Sequence, residues 1–428
     1  MIDLLQRAAQ RWPTAVAICD GAGQTISYEE LEKATRPTKR SGIPGQIEAF
    51  FPPLHPQADA LMELWRKWRA GLTLPIINPR WPDAFQQEQL QQLGTTCLPS
   101  LANHPTILWT SGSRGIPRAL AHSWAAHIYS AAGAASRIPI RPGDGWLLNL
   151  SLAHVGGVAI IFRSVLSGAT IILPTAAYSL PDGITHLSLV PSQLRTLRKQ
   201  PPPPKLKAVL VGGAPCPTIW VREAVDLRWP VHTTYGMTEA GSQICTSSVW
   251  TKERLDQISQ IPSGHPLAGR RVSIAPDHQI QISGPTLATG SIAQGRLHPL
   301  AQPYATGDVG ALTPNGELVV HGREDRMFQC GGENVHPEFI ETILESRPTI
   351  KKAFVTWMPD QRFERVPVAL VQWTDEPEND TELIGALRKQ LPPWLVPRHL
   401  ADWPDSQNSD QEKISTHKLE TWLRNQAN

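Results

Sequence analysis

Apolar and polar positions alternate along this chain in two rhythms. Ile2, Leu4, Leu5 and Ala8 recur at helical spacing and predict an amphipathic helix near the start, while Ser27-Tyr28-Glu29-Glu30 supplies a capping box for a second helix before Leu31. Leu61, Met62, Leu64, Trp65 and Trp68 predict a third helix over 60–70, which Gly71 ends ahead of the short apolar run 72–77. From there short apolar runs alternate with helical stretches: strand 106–109, a Gly/Ser loop, helix 122–135; strand 145–150, helix 157–166, strand 170–173; strand 186–190, helix 192–199, strand 208–211. Strands alternating with helices predict an α/β domain on a largely parallel sheet. After about Gly264 the texture changes to short strands with turns, at 271–274, 280–282, 309–312 and 316–320, which predicts a small β-rich subdomain. The last hundred or so residues read as helix 337–346, strands 352–357 and 367–373, helix 381–391 and a terminal helix from about His417, enough for a small α+β domain. The charged segment Gly322-Arg323-Glu324-Asp325-Arg326 lies between these parts. The expected division is a large unit 1–321, a hinge 322–326 and a small mobile unit 327–428.

Charge and composition remove several classes of function. Forty Lys+Arg against 38 Asp+Glu leave a net charge of +2, too small for the electrostatic footprint of a dedicated nucleic-acid binder. The five cysteines, Cys19, Cys97, Cys216, Cys245 and Cys330, are scattered and form no C-x-x-C pair, which argues against a zinc cage or a disulfide framework and fits a reducing cytosol. Asp3, Gln6, Arg7, Gln10 and Arg11 interrupt any apolar signal core at the start. The longest apolar stretch, 152–162, is stopped by Arg163 at about half the ~20 residues a spanning helix needs. The expectation is a soluble cytoplasmic protein with small-molecule partners, no nucleic acid and no membrane span; a homo-oligomer stays open.

The candidate chemistry begins at Thr110-Ser111-Gly112-Ser113-Arg114-Gly115-Ile116-Pro117-Arg118. Glycines let backbone N–H groups approach an anion, the hydroxyls add donors and the arginines add charge, so this strand-to-helix loop suits a polyphosphate. The G-x-x-x-x-G-K-[ST] spacing is absent, which sets a P-loop nucleotidase aside, and no G-x-S-x-G elbow supports a serine hydrolase. Downstream, Tyr235-Gly236-Met237-Thr238-Glu239 offers a flat ring, a hydroxyl and a carboxylate, and Thr306-Gly307-Asp308 sets an acid after a glycine turn where a ribose diol can bind. Gly322-Arg323-Glu324-Asp325 and Gly331-Gly332-Glu333-Asn334 follow in order.

Taken together, from about Ile107 to Leu419, these fragments resemble the core motifs of the adenylate-forming superfamily of acyl-CoA synthetases, peptide-synthetase adenylation domains and luciferases. Asn78-Pro79-Arg80-Trp81-Pro82, Leu152-Ala153-His154-Val155-Gly156-Gly157, Leu189-Val190-Pro191-Ser192-Gln193-Leu194 and the run from Gln329 to Glu338 are most similar to the subfamily of 2-succinylbenzoate–CoA ligases of menaquinone and phylloquinone biosynthesis. The resemblance implies ATP, Mg²⁺ and coenzyme A as co-substrates and cofactor, an aromatic carboxylate as substrate, and an acyl-adenylate between them. It implies that Thr110, Ser111, Gly112, Ser113, Gly115 and Arg118 surround the phosphates, with Thr238 and Glu239 at the α-phosphate and the metal. Gly212, Gly213, Ala214, Tyr235 and Gly236 would enclose adenine, and Asp308 and Arg323 would take the ribose hydroxyls. His154 would stand beside the acyl carboxylate, Ser192 or Gln193 would face the ligand, with Gly213 and Gly236 lining the same pocket, and Arg195 lies near them in sequence. Asp325 would be the hinge, Gly331 and Gly332 the strand lining the pantetheine tunnel, and Lys413 the late catalytic lysine. Arg114, Arg118, Glu412 and Thr416 depart from the family pattern. Other acyl- or aryl-CoA ligases, a carrier-protein-loading enzyme and a catalytically impaired nucleotide-binding homologue remain alternatives at this stage.

Overall fold

A computed structural model describes residues 3–38, 43–110, 117–175, 180–181, 183–258, 260–374 and 377–403. Its backbone is mixed α/β. A nine-stranded sheet runs from His265–Pro266 at one edge to Thr25–Ser27 at the other, with parallel pairing through its centre from Val16–Cys19 to Val231–Met237. Those central strands are buried along almost their whole length because helices cover both faces, as parallel sheets require. The main core packs Trp65, Trp68, Trp146 and Phe162, with Trp68 in edge contact with both Trp65 and Trp124. Much of the tryptophan in this chain is therefore core volume.

The helices largely follow the apolar rhythm. Leu4–Arg11 turns Leu4, Leu5 and Ala8 inward behind an Asp3 cap, and Tyr28–Ala34 opens on the Ser27–Glu30 capping box. The helices Asp83–Leu93 and Thr218–Asp226 were not anticipated from sequence; the first is Gln-rich and buries only Gln89 and Leu93, so it shows almost no apolar stripe.

One expectation about connectivity is corrected. The phosphate loop does not lead straight into a helix: Arg118–His122 is a strand that pairs antiparallel with Thr106–Thr110, and the helix Trp124–Arg137 starts only after the Ser123 cap. The expected β-rich part after Gly264 is present: Arg271–Ile274, Gln279–Ser283, Tyr304–Leu312 and Leu318–Arg323 form their own four-stranded sheet, while the hairpin Gly290–Ala293 with Arg296–Pro299 extends the sheet that contains Arg118–His122. Sheet continuity cannot be read from local pattern, because the partner strand lies about 170 residues away.

Beyond Arg326 the chain builds a separate apolar cluster from Phe328, Val335, Ile340, Leu344, Val355, Val371, Leu383 and neighbours. There the strands Ile350–Asp360, Glu364–Trp373 and His399–Asp402 pack against the helices Pro337–Glu345 and Asp380–Gln390. The expected terminal helix and Lys413 lie outside the described residues. Among the described residues no helix is long and apolar enough to cross a membrane.

Candidate active site

The hairpin geometry fixes the mouth of the phosphate loop. Thr110 and Arg118 are register partners at the ends of the two antiparallel strands, so the loop between them, with Ser111, Gly112, Ser113 and Gly115, leaves and returns at one point; those four residues are themselves outside the described set. Arg118 uses its guanidinium locally, donating to Glu239 Oε1 at 2.8 Å and to the Tyr304 hydroxyl at 3.2 Å. Burial works against the Arg118 charge, yet Tyr304 and Glu239 outweigh it and leave its pKa raised. Glu239 is 7% exposed, on a single turn Thr238–Ala240 that follows the strand Val231–Met237. A single buried carboxylate suits a Mg²⁺ that takes most of its ligands from phosphate and water. Among the described residues there is no cluster of three or more acidic, His or Cys side chains that holds a metal by protein ligands alone.

The ribose candidates assemble from strands 304–312 and 318–323. Asp308 and Arg323 are register partners, and Arg323 reaches Asp308 Oδ1 at 3.3 Å and the Thr306 carbonyl at 3.2 Å. The Tyr235 hydroxyl donates to Asp308 Oδ2 at 2.6 Å. Burial pushes the Asp308 carboxyl up, partly offset by Tyr235 and Arg323, and burial with the neighbouring Asp308 charge pushes the Tyr235 phenol up. Gly307 is at φ +75°, and a Cβ there would stand 3.0 Å from the Arg323 guanidinium, so glycine is what lets the two strands' functional groups meet. Gly236 has an equally strict reason: a Cβ would lie 2.2 Å from the Ser242 carbonyl oxygen. Gly212, Gly213 and Ala214 follow the parallel strand Ala208–Val211, with Gly213 and Ala214 exposed beside it.

The acyl side holds a residue that sequence reasoning passed over. His154 is exposed at the start of the helix Val155–Ser167. Ser192 is exposed, while the Gln193 side-chain oxygen accepts from the Val190 N–H and so closes the start of its helix. Arg195 points the other way, donating to the Ile350 and Lys351 carbonyls of the small unit at 2.6 and 2.7 Å. Arg163, two turns along from His154, does not end a structural element: the helix continues to Ser167 and buries the guanidinium, which is 2% exposed. It donates to Ser242 Oγ at 3.3 Å and lies over the Trp146 ring, whose Nε1 donates to Ser188. Its Nε has no hydrogen-bond partner among the described residues, and burial, with Arg270 nearby, lowers its pKa to about 9. Arg270, by contrast, satisfies its guanidinium on the Gln243, Ala268 and Ser130 oxygens. The available signal was a charge in the middle of an otherwise apolar helical run.

At the junction of the two units, Asp325 bonds the Nε and a terminal nitrogen of Arg323 at 3.1 and 3.2 Å, while Arg326 turns into the small unit to pair with Glu338 and Glu341. Gly331 and Gly332, at φ +59° and +89°, form the exposed tip of the hairpin Phe328–Val335, and the Gly331 N–H bonds Phe363 of the same unit.

Comparison with known proteins agrees with this arrangement of parts. The family model of the AMP-binding enzymes matches residues 82–293. A 2-succinylbenzoate–CoA ligase of Escherichia coli is 33% identical over 390 residues, covering 84% of each chain. The chain belongs to the AMP-binding enzyme family. A 2-succinylbenzoate–CoA ligase of Salmonella typhimurium is 34% identical over 319 residues, 73% of this chain and 68% of the relative. Among solved structures, an Escherichia coli MenE variant with bound OSB-AMS superposes with a TM-score of 0.82 at 25% identity, covering 99% of both chains. Bacillus subtilis MenE in complex with ATP and magnesium shares the family fold with a TM-score of 0.82 at 22% identity over 94% of this chain and 95% of that one.

Proposed function

We propose that this protein is an AMP-forming acid–thiol ligase that activates 2-succinylbenzoate with ATP and passes the acyl group to coenzyme A, in menaquinone biosynthesis. The relatives that carry this name support the reaction, and one observation supports the substrate: the buried Arg163 guanidinium, which has no carboxylate partner among the described residues. Holding an uncompensated cation in the interior costs several kcal/mol, so a site that keeps one is built for an anion that arrives later. Arg163 lies on the helix Val155–Ser167, which His154 precedes, and is flanked by Trp146, itself bonded to Ser188, and by Ser242 just past Glu239. A dicarboxylate suits that position: one carboxylate would pair with Arg163 while the other stands near His154 and the α-phosphate.

In the first half-reaction a carboxylate oxygen attacks the α-phosphorus in line and pyrophosphate leaves. The residues of this chain position and stabilise rather than react. Arg118, the phosphate loop and Thr238 would surround the phosphate oxygens, and Asp308, helped by Tyr235 and Arg323, would hold the ribose diol. Glu239 would hold Mg²⁺, which neutralises charge on the phosphates. Lys413 is the remaining cation proposed for this step. In the second half-reaction the units 1–321 and 327–428 would turn about Asp325, bringing Gly331 and Gly332 to the site. The thiol sulfur then bonds the acyl carbon, the C–O bond to AMP breaks and the thiol proton leaves to solvent.

The test is product identification by mass spectrometry with ATP, CoA and a panel of 2-succinylbenzoate, benzoate and fatty acids. The expected product is 2-succinylbenzoyl-CoA with AMP and pyrophosphate. Preferential use of a monocarboxylate overturns the substrate reading.

A further inference from the structure

The turn that carries Thr238 and Glu239 is held from behind, and the groups that hold it are absent from the reaction described above. Ala288 N–H donates to the Glu239 carbonyl at 2.8 Å, Ser130 Oγ–H to the Gly241 carbonyl at 2.6 Å, and His122 Nε2 meets the Thr238 carbonyl at 2.7 Å. His122 is the last residue of the strand Arg118–His122 and is wholly buried. Four residues apart on one strand, Arg118 and His122 point to the same face. One end of that strand therefore grips the Glu239 side chain and the other grips the backbone just before it.

The chemistry at His122 has one solution. The Thr238 carbonyl can only accept, so the proton sits on Nε2. In a trans peptide the C=O and the following N–H point in opposite directions. Tying the Thr238 oxygen to the interior therefore turns the Glu239 N–H the other way and sets the direction in which the Thr238 and Glu239 side chains leave the backbone. Gly241 N–H, just past the turn, also donates to that oxygen at 3.1 Å, and among the described residues His122 is the anchor from a distant element.

We infer that His122 is a positioning residue for adenylate formation: by donating from Nε2 to the Thr238 carbonyl it fixes the peptide plane that presents Thr238 and Glu239 to the α-phosphate and its metal ion. This rests on the ligase reading for the identity of the reaction, but the geometry it predicts is tested by nucleotide binding alone. Calorimetry measures ATP affinity with and without Mg²⁺ for the wild type, His122→Leu, His122→Gln and His127→Leu. The last removes a neighbouring buried histidine that bonds Thr106 rather than the turn. In His122→Leu the Mg²⁺-dependent gain in affinity and kcat for pyrophosphate exchange are expected to fall by roughly 10- to 100-fold, the cost typical of a misplaced reacting group, with KM for the acid nearly unchanged. His122→Gln, whose amide can donate to the same oxygen, is expected to restore most of both, and His127→Leu to keep them even if it melts earlier. If His122→Leu does not fold, His122→Asn, polar but too short to reach the carbonyl, provides the contrast with Gln. Wild-type metal dependence in the Leu or Asn variant, or equal loss in the Gln variant, overturns the inference. The expected binding pattern in an enzyme that does not turn over 2-succinylbenzoate supports the role of His122 and overturns the ligase reading instead.

Discussion

The acyl end and the ribose end of the candidate site handle charge in opposite ways. At the acyl end of the proposed site Arg163 is buried, meets one hydroxyl and an aromatic face, and has no carboxylate partner among the described residues. At the ribose end Arg323 is about one-third exposed and already shared between Asp308 and Asp325, with Tyr235 completing the set. The difference would follow from the proposed ligands: a carboxylate brings a full charge that can repay a desolvated cation, whereas a ribose diol is neutral and needs a preset acceptor. Asp325, the proposed hinge residue, holds the same guanidinium as Asp308, so on that proposal a rotation there would be felt at the ribose.

The comparison is broken most sharply at Arg163. Arg163→Met is expected to raise KM for 2-succinylbenzoate by roughly 30- to 1000-fold, the range for leaving a buried charge unpaired, with KM for ATP little changed. Its melting temperature should hold or rise, because an unpaired buried cation is replaced by apolar volume. A lower melting temperature with unchanged KM would show that Arg163 is structural, as Arg270 is by its full set of carbonyl partners. At the ribose end Asp308→Ala should raise KM for ATP by about 10- to 100-fold, the loss of one or two charge-assisted hydrogen bonds, and leave KM for the acid alone. Equal affinity for ATP and 2′,3′-dideoxy-ATP in the wild type would contradict that assignment.

The smallest expected effect is at the contact between the units. Glu345, on the helix Pro337–Glu345, accepts from Ala353 N–H and faces Glu341, Lys352 and the Arg195 that spans to Ile350 and Lys351. Burial, more than the Glu341 charge, raises its pKa to about 7. A folded pKa above the unfolded one favours the protonated folded state, so stability is greatest below the unfolded value and falls as pH rises toward 7. Thermal melts between pH 5 and 8 should show that decline, and Glu345→Gln should flatten it; an unchanged profile would assign the decline to other groups.

Much of this protein could be read before its fold was known, and the limits are instructive. The capping box at Ser27 and the motifs at Thr238-Glu239, Asp308 and Arg323 were legible because each is a local run whose residue types suit one task. The strand Arg118–His122 was missed because Arg-Ala-Leu-Ala-His has no alternating pattern and flows into a helical stretch. Arg163 was taken as the stop of an apolar run, since the chain alone gives a charge no depth. Ser192, Gln193 and Arg195 share seven residues of helix, yet face solvent, the helix's own first turn and the small unit in turn. By itself the sequence determined the α/β alternation, the order of the nucleotide motifs and the family they resemble, because these depend on neighbours a few residues apart. Only the tertiary structure decided that Arg163 is buried without a carboxylate partner among the described residues, that Arg118 rests on Glu239, and that His122 stands behind Thr238. Those facts depend on which distant segments are packed together, and burial sets both the cost of a charge and the strength of a hydrogen bond.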